Sequence, residues 1–408
     1  MKLGLENIRR LFATLGNPQD NYLKVQIAGT NGKGSVCAFL DSICNAAGIG
    51  TGTFTSPHLI SITERIKING RDISENDFAR HATLVRETAE NLLVKGALEY
   101  CPTFFEQVTA IALIAFSEAK IELAILETGL GGRLDATTAA NAEIAAITRI
   151  DLDHQEYLGN TIEEIAAEKA AIIQPHTNTV VIGEQNPEAM AVIEKRIREI
   201  KGETTNGSEF VVHRTSCVEK SFEPVPFPAS KLGLVGGHQI ENSKIAIMLA
   251  ASLDPRFEIT DEHILNGLER TRHPGRLEYY GKYLFDGAHN VNGAIALVMY
   301  LIMNEPRPVT LLFGAMTDKS VAEILAIIAW RAERIVFTEP ANPRALSYDD
   351  LLRQLPADMS RERTFATDTV AKAISIAETV TPDDGIILVT GSLYLVGEAK
   401  GLIQAASR

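Results

Sequence analysis

The stretch Val25-Gln26-Ile27-Ala28-Gly29-Thr30-Asn31-Gly32-Lys33-Gly34-Ser35 decides the reading of this chain. A largely apolar strand runs into a glycine-rich loop, and the helix-compatible stretch 36–46 follows at once. Such a loop aims backbone N–H groups and one lysine at an anion held at a helix N-terminus. A nucleoside triphosphate is therefore the first ligand to test. The loop departs from the pattern G-x-x-x-x-G-K-[ST]: Ile27 stands where the first glycine would be, and Gly34 separates Lys33 from Ser35. The mechanics survive the departure. Gly29, Gly32 and Gly34 let the backbone approach phosphate closely. Lys33 reaches the terminal phosphates, and Ser35 offers a hydroxyl to Mg²⁺ or phosphate. An ordinary glycine turn between strand and helix is the competing reading; a lysine inside the turn favours nucleotide binding.

Working outward, 408 residues exceed the size at which one core usually stops growing, so two or more domains are expected. Hydrophobic residues at 45% and charged residues at 22% allow a large core. A net charge of −13 argues against nucleic acid or an anionic membrane as the main partner. Cys37, Cys44, Cys101 and Cys217 have no metal-ligand spacing, so reduced thiols and a cytoplasmic location are expected. Cys37 and Cys44 read as core residues of the helix after the loop. Met1–Leu15 has no long apolar core of a signal peptide, and no run is long enough to span a membrane.

Strand-like and helix-like patterns alternate from residue 24 to about 200. Strands are expected at 24–28, 122–127, 142–148 and 179–182, with helices at 103–120, 161–173 and 187–200. Thr161 is the N-cap of its helix, with Glu163 and Glu164 in the first turn. This alternation predicts a parallel sheet covered by helices. Residues 201–235, with Phe210–His213 as a short alternating run, read as a small β insertion or hairpin layer, and 238–253 returns to helix. Pro274 and Gly275 punctuate a linker at 272–276. Beyond it, strands at 279–285, 309–313, 334–338 and 385–389 interleave with helices at 291–303, 320–331, 367–379 and 394–406. The expected organisation is a P-loop-type ATPase domain over 1–271 and a smaller Rossmann-like α/β domain over 277–408. Gly129-Leu130-Gly131-Gly132 is no dinucleotide fingerprint, because Leu134 occupies the last glycine position.

Ligands of an open parallel sheet gather beyond the carboxyl ends of its strands. Glu127 closes one such strand; Asp151, Asp153 and His154 follow another; Asp286 and His289 follow a third; Ser56 lies in the loop Thr55-Ser56-Pro57-His58. Ser35, Ser56, Glu127 and His154 make an oxygen-rich Mg²⁺ site, although His is an unusual Mg²⁺ ligand and a lone His after a strand is more often a hydrogen-bonding loop residue. Lys169 lies on the apolar face of its helix. It either snorkels or pairs with a neighbouring glutamate, or it turns toward the ligand edge with a depressed pKa. As a neutral amine it would take up CO₂ as a carbamate and ligate metal. Phe104 and Phe105 are either core or a stacking face for a planar heterocycle.

These motifs, in this order, resemble the folylpolyglutamate synthase and dihydrofolate synthase family, relatives of the Mur ligases. The resemblance rests on Gly29–Ser35, Thr55–His58, Pro102–Glu106, Glu127–Thr137, Asp153-His154, Glu168–Ala170, His238-Gln239 with Asn242, His273–Arg276, Asp286–Asn290 and Thr390–Tyr394. It runs nearly end to end. It implies that Lys33 and the loop Thr30–Ser35 hold ATP phosphates, and that Asn242, Arg276 and Asp286 contact adenine, phosphate and ribose. It implies that Ser56, Glu127 and His154 bind Mg²⁺, with carbamylated Lys169 on a second metal. Thr103 and Phe105 match positions near a pterin, and His289 and Ser392 positions near the incoming glutamate.

The implied reaction joins L-glutamate to a folate-type carboxylate through an acyl phosphate, with domain closure excluding water from it. Dihydropteroate, tetrahydrofolate or both are the acceptor, and a bifunctional, monomeric enzyme is expected. The alternatives are chain elongation alone, or a P-loop ATP-binding switch module. A cell-wall Mur ligase is disfavoured, because the loop at residue 29 leaves no room for its extra N-terminal domain.

Overall fold

The computed structural model describes residues 4–203, 210–215, 228–357 and 359–406. The chain divides into two compact units. One comprises Met1–Pro57, Ile62–Gly233 and Gln239–Thr271; the other comprises His58–Ser61, Leu234–His238 and Arg272–Arg408.

Among the described residues, the first unit is built on eight strands: β1 (Leu23–Ala28), β2 (Thr51–Phe54), β3 (Ile66–Ile68), β4 (Arg71–Asp72), β5 (Leu123–Glu127), β6 (Ile144–Ile147), β7 (Thr179–Ile182) and β8 (Val211–Arg214). Their order in the sheet is β4-β3-β2-β5-β1-β6-β7-β8. β1 lies between β5 and β6 and is parallel to both. A central parallel strand is covered on both faces, so its residues must be apolar or fully hydrogen-bonded. The two polar residues of β1 meet this requirement. Gln26 Nε2 reaches the hydroxyls of Thr137 and Thr138 at 2.9 and 2.8 Å. Lys24 Nζ donates to the carbonyls of Gln19 and Tyr22 and pairs with Glu143 at 3.0 Å.

Helices Glu6–Thr14, Glu75–Val94 and Phe104–Glu118 cover one side through Ile8, Phe12, Val85, Leu113 and Phe116. Helices Ile162–Ala170 and Pro187–Glu203 build a second core around Ile165, Ile193, Val180 and Ile182. Thr161 caps its helix as the sequence predicts, in a reciprocal box with Glu164.

The sheet is parallel except at one edge, where β3 and β4 run antiparallel. The stretch expected as a β insertion supplies a strand of the main sheet instead: β8 pairs in parallel with β7. Its short alternating pattern is that of an edge strand, half-covered, and no local signal separates the two readings. The rest of that segment, 204–209 and 216–227, lies outside the described residues, and Cys217 with it.

The second unit holds β9 (Glu278–Tyr280), β10 (Tyr283–Phe285), β11 (Val309–Phe313), β12 (Arg334–Thr338), β13 (Thr364–Thr367) and β14 (Ile386–Thr390), ordered β13-β12-β11-β14-β10-β9. The run 279–285, expected as one strand, folds back at Gly281 (φ 58°) into the antiparallel pair β9–β10. Gly281 adopts the left-handed conformation that a tight turn needs. The helix expected from Thr367 starts at Val370 behind the cap Thr369, because Thr364–Thr367 is spent on β13. Among the described residues, no helix is long and apolar enough to cross a membrane.

Candidate active site

The order β2-β5-β1-β6 brings four loops side by side at the carboxyl edge of the first sheet. They are the segments after Phe54, Glu127, Ala28 and Ile147. Register sets Glu127 opposite Ile27, one residue short of the loop strand's end. Glu127 is buried, and its Oε2 accepts the Ser56 amide at 3.0 Å.

The glycine loop has the shape its sequence predicts. Gly29 (φ 149°) and Gly32 (φ 92°) occupy conformations that side chains avoid. A Cβ on Gly29 would sit 1.8 Å from Thr148 Oγ1, and one on Gly32 would sit 2.3 Å from Asn242 Oδ1. The helix begins at Lys33, earlier than the expected Val36. Lys33, Gly34 and Ser35 are therefore its first turn, where backbone amides lack intrahelical partners and face any anion. Thr30 locks the loop to the segment after β6: its hydroxyl donates to the Asp151 carbonyl at 2.9 Å and accepts the Asp151 amide at 3.0 Å. Asn31 accepts from Thr148 Oγ1 through its carbonyl at 2.7 Å.

Lys169 neither snorkels nor pairs with Glu168, which bonds Arg133 instead at 2.8 Å. It is buried, and its Nζ donates to the Gly29 carbonyl at 2.8 Å. Lys33 Nζ donates to that same oxygen at 3.1 Å and to the Thr30 carbonyl at 3.3 Å. Burial first, and then the neighbouring Lys33 charge, bring the Lys169 ammonium down to about 7, against the pull of Asp153 and Asp135. His154 takes a left-handed conformation (φ 51°) ahead of the short helix Gln155–Leu158. Its amide donates to Asp153 Oδ1 at 2.9 Å, and its ring lies 3.9 Å from the same carboxylate.

Thr103 caps the helix Phe104–Glu118 in a reciprocal box with Glu106. The two aromatics diverge. Phe105 packs on Phe54 with centroids 5.7 Å apart and lies over Gly129, where a Cβ would come within 2.5 Å of its ring. Phe104 is 56% exposed, with the Arg65 guanidinium 5.4 Å from its centroid.

In the second unit, Asp286 follows β10. Its two oxygens accept the amides of Leu277 and Ala288 at 3.0 and 2.9 Å. His289 Nδ1 lies 2.8 Å from the Gly287 carbonyl. The Ala288 carbonyl accepts the Gly391 amide at 3.0 Å, which draws the loop after β14 alongside. There Ser392, buried, accepts the Tyr394 amide at the start of the helix Leu393–Ala406.

Residues 27–250 match the Mur ligase middle domain, and residues 275–393 match the glutamate ligase domain of Mur ligases. The chain is 33% identical over 422 residues to the dihydrofolate synthase/folylpolyglutamate synthase of Bacillus subtilis, covering 98% of this chain and 95% of that protein. The chain belongs to the folylpolyglutamate synthase/dihydrofolate synthase family of the Mur ligase superfamily. A probable bifunctional folylpolyglutamate synthase/dihydropteroate synthase of Halobacterium salinarum is 33% identical over 410 residues, covering 98% of this chain and 49% of that protein. The chain thus spans about half the length of that relative. Among solved structures, Mycobacterium tuberculosis folylpolyglutamate synthase complexed with ADP and AMPPCP superposes with a TM-score of 0.85 at 31% identity, covering 98% and 95% of the two chains. The bifunctional synthase of Yersinia pestis complexed with AMPPNP and Mn gives 0.82 at 28% identity, covering 99% and 94%.

For a member of this family, the first unit joins Lys33, Lys169 and Gly29 directly, and Glu127 with Ser56. Asn242 abuts the loop at Gly32. Among the described residues, no three His, Cys, Asp or Glu side chains converge as a metal cage. A cation at Glu127 would complete its shell from hydroxyls, phosphate oxygens and water, which is the habit of Mg²⁺. Asp135 lies inside the motif Glu127–Thr137, which by sequence assigns it no role of its own. It is buried and holds the loop after Glu127, accepting the amides of Gly129, Leu130 and Thr137 at 2.9, 2.9 and 3.0 Å. An aspartate just beyond a glycine-rich run was the available signal.

Proposed function

We propose that this chain joins L-glutamate to the carboxylate of a folate-type acceptor with cleavage of ATP to ADP and phosphate, and that it accepts both dihydropteroate and tetrahydrofolate. As a family member it is an ATP-dependent, amide-forming ligase. The observation that carries the reading is the register that sets Glu127 beside the phosphate loop. It puts an acidic group, anchored on Ser56, at the edge where a triphosphate would lie.

In the proposed reaction an acceptor carboxylate oxygen attacks the γ-phosphorus, the bond to the β-phosphate oxygen breaks, and ADP leaves. The glutamate amine then attacks the acyl carbon and loses a proton, and inorganic phosphate leaves as the amide forms. Thr30–Ser35 and Lys33 cradle the phosphates, and Arg276 offsets charge on the transferring group. Asn242 is assigned to the adenine and Asp286 to the ribose. Thr103 and Phe105 are assigned to the pterin, and His289 and Ser392 to the incoming glutamate. The domain assignment is 1–271 for ATP and 277–408 for glutamate, joined by 272–276.

Ser35, Ser56, Glu127 and His154 would hold Mg²⁺, with Lys169 on a second ion. Bound there, the metal would neutralise charge on the phosphoryl oxygens. Lys169 would serve as a carbamate: its neutral amine adds to CO₂, a proton is released, and a carboxylate results. The depressed ammonium supports this, since only the free amine reacts. The reading takes the enzyme as monomeric and cytoplasmic.

ADP release and radiolabelled glutamate incorporation, measured with each acceptor, test the reading. Glutamate-dependent turnover with both acceptors is expected. No turnover with dihydropteroate would leave chain elongation only. ATP hydrolysis indifferent to glutamate would favour a switch module.

A further inference from the structure

Arg276 stands on a backbone that does not hold itself. Gly275 (φ 72°) and Leu277 (φ 46°) flank it, both in the left-handed region. A leucine is disfavoured there, because its Cβ crowds the following carbonyl oxygen. Three hydrogen bonds hold the fold. Leu277 N donates to Asp286 Oδ2 at 3.0 Å, Gly287 N donates to the Gly275 carbonyl at 2.9 Å, and Gly275 N donates to Glu278 Oε2 at 2.8 Å. The guanidinium passes over Gly287, where a Cβ would come within 3.1 Å of Nη1.

Glu278 is itself held. Lys400 Nζ, on the helix Leu393–Ala406, donates to its two oxygens at 2.7 and 2.8 Å. The Lys400 side chain is 9% exposed, and that of Glu278 is 31% exposed. A nearly buried ammonium needs a fixed counter-charge, and a charge-assisted contact to both oxygens also fixes where the carboxylate points. The carboxylate so oriented is the acceptor for the amide immediately before Arg276.

We propose that Lys400 and Glu278 form a positioning clamp that sets the conformation of residues 275–277 and so aims the Arg276 guanidinium. Neither residue touches the reacting atoms. This rests on the assignment of Arg276 to an ATP phosphate. Lys400→Met frees the carboxylate from its orienting partner, and Lys400→Arg restores a cation able to engage both oxygens.

Steady-state kinetics with ATP varied, alongside thermal melting, test the clamp. Lys400→Met raises KM for ATP about tenfold, as misplacement of a positioning group does, with a smaller change in kcat. Lys400→Arg recovers most of the loss. In an Arg276→Ala background, Lys400→Met adds no further rise in KM. A pair serving stability alone would lower the melting temperature and leave KM for ATP unchanged, which overturns the clamp while Arg276→Ala still raises KM. If Arg276→Ala itself leaves KM unchanged, the assignment of Arg276 fails, and the clamp with it. Should Lys400→Met not fold, the double variant Lys400→Met/Glu278→Gln removes both charges together and takes its place.

Discussion

Lys33 and Lys169 donate to one and the same acceptor, the Gly29 carbonyl, at 3.1 and 2.8 Å. They reach it from different elements, one on the first turn of the loop helix and the other on the helix Ile162–Ala170. Burial is the main cost to the Lys169 charge, and repulsion from the Lys33 ammonium on the same oxygen adds to it. The phosphate loop is thus held from beneath by an amine that falls to about 7. A carbamate formed there would carry negative charge into the site beside Lys33.

Lys169→Ala is expected to lower glutamate ligation by about 100-fold, the upper range for residues that order a metal site. Acetate or another small carboxylate should restore part of the rate. Glutamate incorporation with and without the added acid checks this. Undiminished activity of the alanine variant would remove Lys169 from the machinery.

Gly32→Ala should weaken ATP binding and destabilise the fold together. Its Cβ would be 2.3 Å from Asn242 Oδ1, and φ 92° strains any side chain. Strain of this kind costs about 1–3 kcal/mol. Urea unfolding and ADP titration by calorimetry measure the two effects; an alanine variant with wild-type values in both would refute the close approach.

Asp41→Asn should stabilise the protein at neutral pH. Asp41 is buried, and its Oδ1 accepts the Thr51 and Thr53 hydroxyls at 2.6 and 2.9 Å. Burial raises its pKa above the ordinary carboxylate value. Between the unfolded and the raised folded pKa, the native state binds the extra proton, so stability falls as pH rises through that window. Above it the buried charge is a standing cost. Asparagine keeps the acceptor oxygen and removes the charge. Its advantage in urea unfolding should therefore be present at pH 7 and shrink as pH drops through the raised pKa. A difference that does not vary with pH would contradict this origin.

Gly267→Ala should lower stability without changing KM for ATP. Gly267 lies where the helix Asp261–Arg270 crosses the loop helix, and a Cβ would be 2.4 Å from Ile43 Cα. Backbone cannot yield as a side-chain end can, so overpacking of about 1–3 kcal/mol is expected. Denaturant midpoints and ATP kinetics on the same preparation separate the two readouts.

Much of this was legible in the chain itself. The loop Gly29–Ser35, the cap Thr161, and the strands 309–313 and 334–338 depend on local chemistry: glycine freedom, hydroxyl capping and unbroken apolar runs. What was not legible depended on partners distant in sequence. Whether 211–214 is an insertion or an edge strand turns on β7. The fold-back within 279–285 is the exception: its cause, Gly281, is local, but the flanking aromatic residues read as one continuous strand. Phe104 and Phe105 are adjacent and chemically alike, yet only contact with Phe54 and Gly129 makes one of them packed.

The sequence by itself determined that an anion loop opens a helix after a buried strand, and that acids stand at the ends of the strands beside it. Periodicity and residue type suffice for that, because they act within a few residues. Only the tertiary structure decided that Lys169 turns inward onto Gly29, that Glu127 rests on Ser56, and that Lys400 grips Glu278 next to Arg276. Each is a pairing across many residues in which burial removes water as the alternative partner, and the cost of an unpaired buried charge selects the geometry.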